Sequence, residues 1–396
     1  MSPISQTAPH MDQGERRRRL VRRHHLATPA DDVVRVAGDL VGLHATDPVS
    51  IFLAARARTT ALTPATLERA LYEERKLLKI LAMRRTMFVI PTILLPIVQA
   101  ASSDAIAANE RRRLAKVLED QGITDDGDAW ITQVGATAVA ALKALGEATA
   151  SQLVATDPEL ARPLRLAAGK SYEAKVSAGT RLLIVLAAEG HIVRGRPRGS
   201  WISTQYQWSP METWVGPIER LPAPEARAEL VRRWLRASGP ATEDDVKWWT
   251  GWTLGQARAA LSAVDATPVD LGEGAGGYVL PDDVEPEPAV EGPVRLLPAL
   301  DPTAMGWRHR EWYVGPHKAR LFDSYGNIGP TVWCDGRIVG GWAQRGDGRI
   351  ATALLEDIGT EDAAAVEGEA ARLEEWLGDV RFVPRFRTPL ERDLSA

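Results

Sequence analysis

The chain has 396 residues, of which 45% are hydrophobic and 25% charged, and a formal net charge of −4. That length corresponds to about two or three domains of roughly 150 residues each, and the negative balance excludes a global field drawing the chain to nucleic acid, so DNA contact would need a local basic face. The single cysteine, Cys334, excludes a disulfide framework and any multi-cysteine zinc or iron–sulfur site, and points to a reduced, cytoplasmic setting.

No apolar signal-peptide core precedes Glu15. Apolar spacing predicts helices over 15–26 and 31–41. The arginines at 16–19, 22 and 23 read as a solvated helix face, as do those at 111–113. His24 and His25 are adjacent on a helix and point in different directions, which is poor metal spacing. Neither a metal nor a cofactor is expected.

Residues 42–48, Gly-Leu-His-Ala-Thr-Asp-Pro, form a polar elbow before a second apolar helix that runs through Ile51 and Phe52. An imidazole, a hydroxyl and a carboxylate fall within four residues: His44, Thr46 and Asp47. The structural alternative is a helix start, with aspartate as N-cap and proline in the first turn. A helix over 64–74 and a strand over 85–90, ending at Pro91, follow. The apolar run 87–101 is broken by Pro91 and Pro96 and is too short for a membrane span of about 20 residues.

Two later segments look like copies of one another. Leu142-Lys-Ala-Leu-Gly146-Glu-Ala148-Thr149 matches Leu235-Arg-Ala-Ser-Gly239-Pro-Ala241-Thr242. Each ends a helix at glycine and starts the next at threonine, and Asp245 adds an approximate capping box to Thr242. The first copy is followed by a helix over 180–190 and a hairpin over 191–206. That hairpin carries Arg194, Arg196 and Arg198 towards a tip ending at Trp201. Guanidinium groups there can pair with phosphates or enter a minor groove. The second copy is followed by a helix over 254–263 and a hairpin whose tip is the glycine run 272–277. That run fits a dinucleotide glycine pattern, but a strand follows it where a helix is required. Gly169-Lys170-Ser171 resembles the end of a phosphate loop, but Leu164 stands where its first glycine must be. Three helices closed by a hairpin is the winged-helix plan.

An acidic, proline-rich linker, 281–288, leads to strands over 331–334, 337–342 and 349–355. Asp335-Gly336 and Gly346-Asp347-Gly348 supply tight turns. A helix over 361–377 and a strand over 380–383 complete a small β-rich domain. The fold expected is therefore α+β: winged-helix units at 15–100, 101–215 and 216–280, then a β-rich domain at 290–396.

The elbow and four further strings resemble the AlkZ/YcaQ-like bacterial DNA glycosylases, which remove alkylated purines and unhook interstrand crosslinks. The strings are Leu81-Ala-Met-Arg84-Arg85-Thr86, Ala241-Thr242 with Trp248-Trp249-Thr-Gly251, Leu296-Leu-Pro298-Ala-Leu-Asp301-Pro, and Asp335-Gly336-Arg337-Ile-Val-Gly340. The resemblance implies three winged helices with a barrel-like C-terminal domain, a monomer acting on damaged double-stranded DNA, and base excision at the elbow. It also places Arg84 and Arg85 near the elbow, as DNA contacts. The family carries Gln-x-Gln or Gln-x-Asp at the elbow, and here His44 and Thr46 stand in those places. On that reading His44 positions or activates water, Thr46 orients it and Asp47 supports. Two other readings stay open: a non-catalytic winged-helix DNA-binding regulator, and an interaction protein with no DNA partner.

Overall fold

The computed structural model describes residues 8–166, 169, 173–290 and 292–396. Lys170 and Ser171 of the phosphate-loop-like string lie outside the described residues. The chain is mixed α/β and divides into two compact units: one runs to Leu67 and includes 89–91 and 227–396, the other holds 68–88 and 92–226. The segment 15–100 is divided between them. No helix among the described residues is long and apolar enough to cross a membrane.

The second unit is built on helices Asp104–Asp120, Gly127–Leu145 and Ala178–Ala188, whose apolar faces bury Leu118, Ile131, Leu142, Leu182 and Leu186 together. The chain leaves the second of these helices through Gly146 at φ 75°. Thr149 then caps the short helix Ala150–Val154 with a complete capping box to Gln152. Ala148 pairs with Trp208 and Thr149 with Gln207. This sets the two-residue strand Ala148–Thr149 beside Tyr206–Pro210, which in turn pairs with Ile192–Pro197.

The same order of elements occurs in the first unit. Helix Ala223–Ser238 enters it at Arg227. Ala241 bridges to Tyr278, and Thr242 caps helix Glu243–Thr250 with a capping box completed by Asp245. Helix Leu254–Ala263 and the antiparallel strands Thr267–Asp270 and Gly276–Val279 follow. The glycine run is the tip of this hairpin, with Gly272 and Gly274 at φ 83° and 74°, so no helix N-terminus faces it.

The C-terminal part of the first unit departs from expectation in two places. Its strands Arg295–Leu297, Thr331–Cys334, Arg337–Gln344 and Ile350–Leu354 form an open antiparallel sheet in sequence order. Among the described residues no strand pairs its two edges, so the sheet is not a closed barrel. Helix Thr360–Leu377 packs beside both edge strands instead. The turn Asp335-Gly336 has φ 47° and 70°, the pair of positive values a tight primed hairpin turn requires. The strand expected over 380–383 is absent: the Gln344 side chain donates to the Val380 carbonyl and accepts from the Phe382 N–H, in place of a backbone ladder. Beyond Pro384 the chain forms a final short helix, Pro389–Ser395.

The N-terminal arginine run is a further correction. In helix Gln13–Arg23, Arg16 and Arg19 are buried. Arg19 donates to Glu15 and to the carbonyls of Asp283 and Glu285, and Arg23 forks onto Asp283 and Glu287. The acidic stretch read as a linker is therefore a strap held on this helix by charge-assisted hydrogen bonds.

Candidate functional site

The elbow begins where helix Val33–Asp39 ends. Val41 follows at φ 57° and Gly42 at φ 113°, and the Gly42 N–H bonds back to the Ala37 carbonyl at 2.7 Å. Glycine suits the second position. A β-branched valine in the left-handed region is strained by about 1–3 kcal/mol, and such strain is concentrated where a turn must aim side chains. The turn delivers the short strand Leu43–His44, with the His44 imidazole only 4% exposed.

Thr46 is half-buried, and its hydroxyl oxygen is buried without a hydrogen-bond partner among the described residues. Asp47 occupies the N-cap position of helix Pro48–Arg56, yet its side chain makes no capping bond. Its Oδ2 accepts instead from the Arg385 backbone N–H at 2.9 Å. Burial pushes the Asp47 carboxyl above its ordinary value, while backbone N–H groups and the Arg385 charge pull the other way. Proline thus opens the helix with Asp47 at its N-cap, and the carboxylate is shared between the helix's own Val49 N–H, whose pull is felt in its pKa, and a segment far away in sequence.

What holds the elbow is a buried lattice at the ends of its downstream helix. At the start, Ser50 Oγ donates to the Ala299 carbonyl at 2.7 Å. Just past the end, Arg58 forks onto Asp301 at 2.9 and 2.6 Å, and also donates to the Ala54 carbonyl and to Thr303 Oγ1. Both members of this ion pair are fully buried. The pair is sealed by His24, whose Nδ1 lies 2.7 Å from Thr303 Oγ1 and whose ring stacks on Trp307. Burial and the Arg58 charge push the His24 imidazole down to about 3, so it is neutral near pH 7. Its sequence neighbour His25 turns to Asp39, and among the described residues no group of three or more His, Cys, Asp or Glu side chains could hold a metal.

The arginines expected to meet DNA lie in the second unit. Arg84 and Arg85 take consecutive left-handed conformations, φ 54° and 59°. Arg85 is forked onto the Glu110 carboxylate at 2.7 and 2.9 Å, and holds it below the usual carboxylate range. On the hairpin, Arg194 lies 4.7 Å over the Tyr206 ring and faces Trp208. Arg196 pairs with Glu73 at 2.9 Å and sits over Tyr72. Arg198 is exposed and Trp201 half-buried near the tip.

Sequence reasoning missed Lys79, which donates to the Tyr72 hydroxyl at 2.9 Å. Burial pushes its ammonium down to about 8. The cations here lie against tyrosine and tryptophan rings, of which Tyr72 and Trp208 are buried. Because Arg196 is already matched by carboxylate, replacing Arg194, Arg196 and Arg198 together with alanine is expected to flatten the salt dependence of DNA affinity by less than three phosphate equivalents. The single change Arg198→Ala should account for most of it. A titration series across salt checks this, and an unchanged slope in the triple variant would remove the hairpin from the interface.

The model of the AlkZ-like DNA glycosylase family matches residues 37–376. Among solved structures, the Streptomyces sahachiroi DNA glycosylase AlkZ is similar, with a TM-score of 0.73 at 22% identity over 94% of this chain and 98% of that one. No curated protein sequence matches the chain.

Proposed function

Because the chain belongs to the AlkZ-like DNA glycosylase family, we propose that it hydrolyses the N-glycosidic bond of alkylated purines, or of crosslinks made through them, in double-stranded DNA. The observation that carries this reading is the elbow: a strained turn that gathers His44, Thr46 and Asp47 at the start of a doubly anchored helix. The repeated order of elements, with Ala148 and Ala241 each paired to the last strand of its hairpin, supports winged helices at 101–215 and 216–280. By the same reading 15–100 is the first such unit and 290–396 the C-terminal domain.

Excision breaks the bond between C1′ of the sugar and a purine nitrogen. A purine alkylated at N7 or N3 is already cationic, so it departs neutral with the bonding electrons and needs little acid assistance. The sugar becomes oxocarbenium-like, and water adds at C1′ with loss of a proton. The protein's task is to place that water and support the cation. His44 accepts the water's proton when neutral, the free Thr46 hydroxyl orients the water, and the buried Asp47 carboxylate supports the developing charge.

An ionised Asp47 is needed for the last role. Since burial raises its pKa, the rate should begin to fall on acidification at a pH above the ordinary aspartate value of 3.8. Asp47→Asn should remove that contribution to the acid limb, leaving only the fall caused by protonation of His44, and an identical pH–rate profile in this variant would take Asp47 out of the chemistry.

Chromatographic detection of free alkylated base after incubation with methylated duplex tests the proposal as a whole. Salt-sensitive DNA binding without base release would favour a regulator built on the same scaffold.

A further inference from the structure

We propose that Arg385 is a DNA-backbone contact of the elbow, its guanidinium taking a phosphate beside the nucleotide whose base is removed. The inference rests on the glycosylase reading and goes beyond the matched segment, which ends at residue 376.

Three observations carry it. The first is attachment: the Arg385 N–H is bonded to Asp47 Oδ2 at 2.9 Å, and its Nη1 lies 3.5 Å from the Thr46 carbonyl oxygen. The main chain therefore fixes this residue on the elbow, while the side chain stays exposed at its rim. The second is availability. Arg385 forms no ion pair with a carboxylate among the described residues, its charge reaching Asp47 only at longer range, whereas Arg85 is forked onto Glu110 and Arg196 is paired with Glu73. An arginine held in place with its guanidinium fork not engaged by a carboxylate is a ready fork for a phosphate.

The third is company. Arg381 and Arg345 come from the same part of the fold, and they too bond only to carbonyls: Arg381 to those of Gly378, Val380 and Asp347, Arg345 to that of Leu394. Neither has a carboxylate partner among the described residues. Nearby Arg387, by contrast, is forked onto Glu391. A duplex phosphate beside the elbow would meet at Arg385 a guanidinium with no carboxylate ion pair, on a molecule whose net charge is −4.

The test compares wild type, Arg385→Ala and Arg385→Lys. Each is titrated with a duplex carrying one N7-methylguanine across a salt series, with base release followed in parallel. The alanine change removes the guanidinium but keeps the backbone N–H on Asp47, so the elbow's attachment survives. The expected result is a slope of log affinity on log salt shallower by about one in Arg385→Ala, with lysine restoring the slope. Loss of the neighbouring charge should also move the Asp47 part of the acid limb of base release to higher pH, whereas the salt slope alone reports the phosphate contact. Equal affinity and slope in all three proteins would overturn the inference while leaving the glycosylase reading intact. Wild type that binds with the steeper slope but releases no base would support the phosphate contact and overturn the excision reading. Absence of any DNA binding would overturn both.

Discussion

His44→Ala is expected to slow base excision about 10²–10⁴-fold, the usual cost of losing a general base, far more than the loss of a buried side chain lowers the melting temperature. The separation is physical. His44 sits at the end of a turn whose geometry is set by Val41, Gly42 and the bond from Gly42 to Ala37. The anchors of the following helix, Ser50 on Ala299 and Arg58 on Asp301, do not pass through the imidazole. Thr46→Ala should lower the rate less and in the same direction, because a hydroxyl that orients water is partly replaced by a second water. Single-turnover rates beside thermal melts check both. Wild-type rates in the two variants would make the elbow a helix start and place the chemistry elsewhere. The double change His44→Gln with Thr46→Gln tests the pocket from the other direction, since a glutamine pair can also hold a water by hydrogen bonds.

Asp301→Leu is expected to lower unfolding free energy by about 3–5 kcal/mol, because it leaves the buried Arg58 guanidinium without its counter-charge. Both side chains of the pair are fully buried, so solvent cannot take the place of the lost carboxylate. Pairing the change with Arg58→Met removes the orphaned charge as well, and should recover most of the loss. Denaturant unfolding of the two single variants and the double variant gives the coupling directly. Equal stability of Asp301→Leu and wild type would show that the lattice does not hold the elbow's helix. Excision in Asp301→Leu should fall even where the protein is still folded, since the far end of that helix is then unfixed.

Much of the fold was legible because its signals are local. Thr149 with Gln152 and Thr242 with Asp245 are caps that close within one helical turn. Asp335-Gly336 and the 272–277 run are turns whose geometry is set by their own residues. What failed depended on distant partners. The arginines at 16–23 look solvated in isolation, and only the fold brings Asp283, Glu285 and Glu287 onto them. The strand at 380–383 has the right composition, but the side chain of Gln344 takes up its backbone groups.

The site divides in the same way. The grouping of His44, Thr46 and Asp47 was readable from four consecutive positions. The use of the Asp47 carboxylate was not, since its partner Arg385 lies near the other end of the chain. Nor could sequence show that Arg85 and Arg196 are matched by Glu110 and Glu73.

The central claim is that this elbow excises a cationic base. Its most direct test is a single-turnover incubation of the wild-type protein with a labelled duplex containing one N7-methylguanine, followed by alkaline cleavage at any abasic site, with His44→Ala run alongside. The account predicts a nicked product at the position of the lesion, formed by the wild type and strongly reduced in the variant, with unmodified duplex left whole. An intact strand after wild-type incubation, under conditions where the duplex is demonstrably bound, would contradict it.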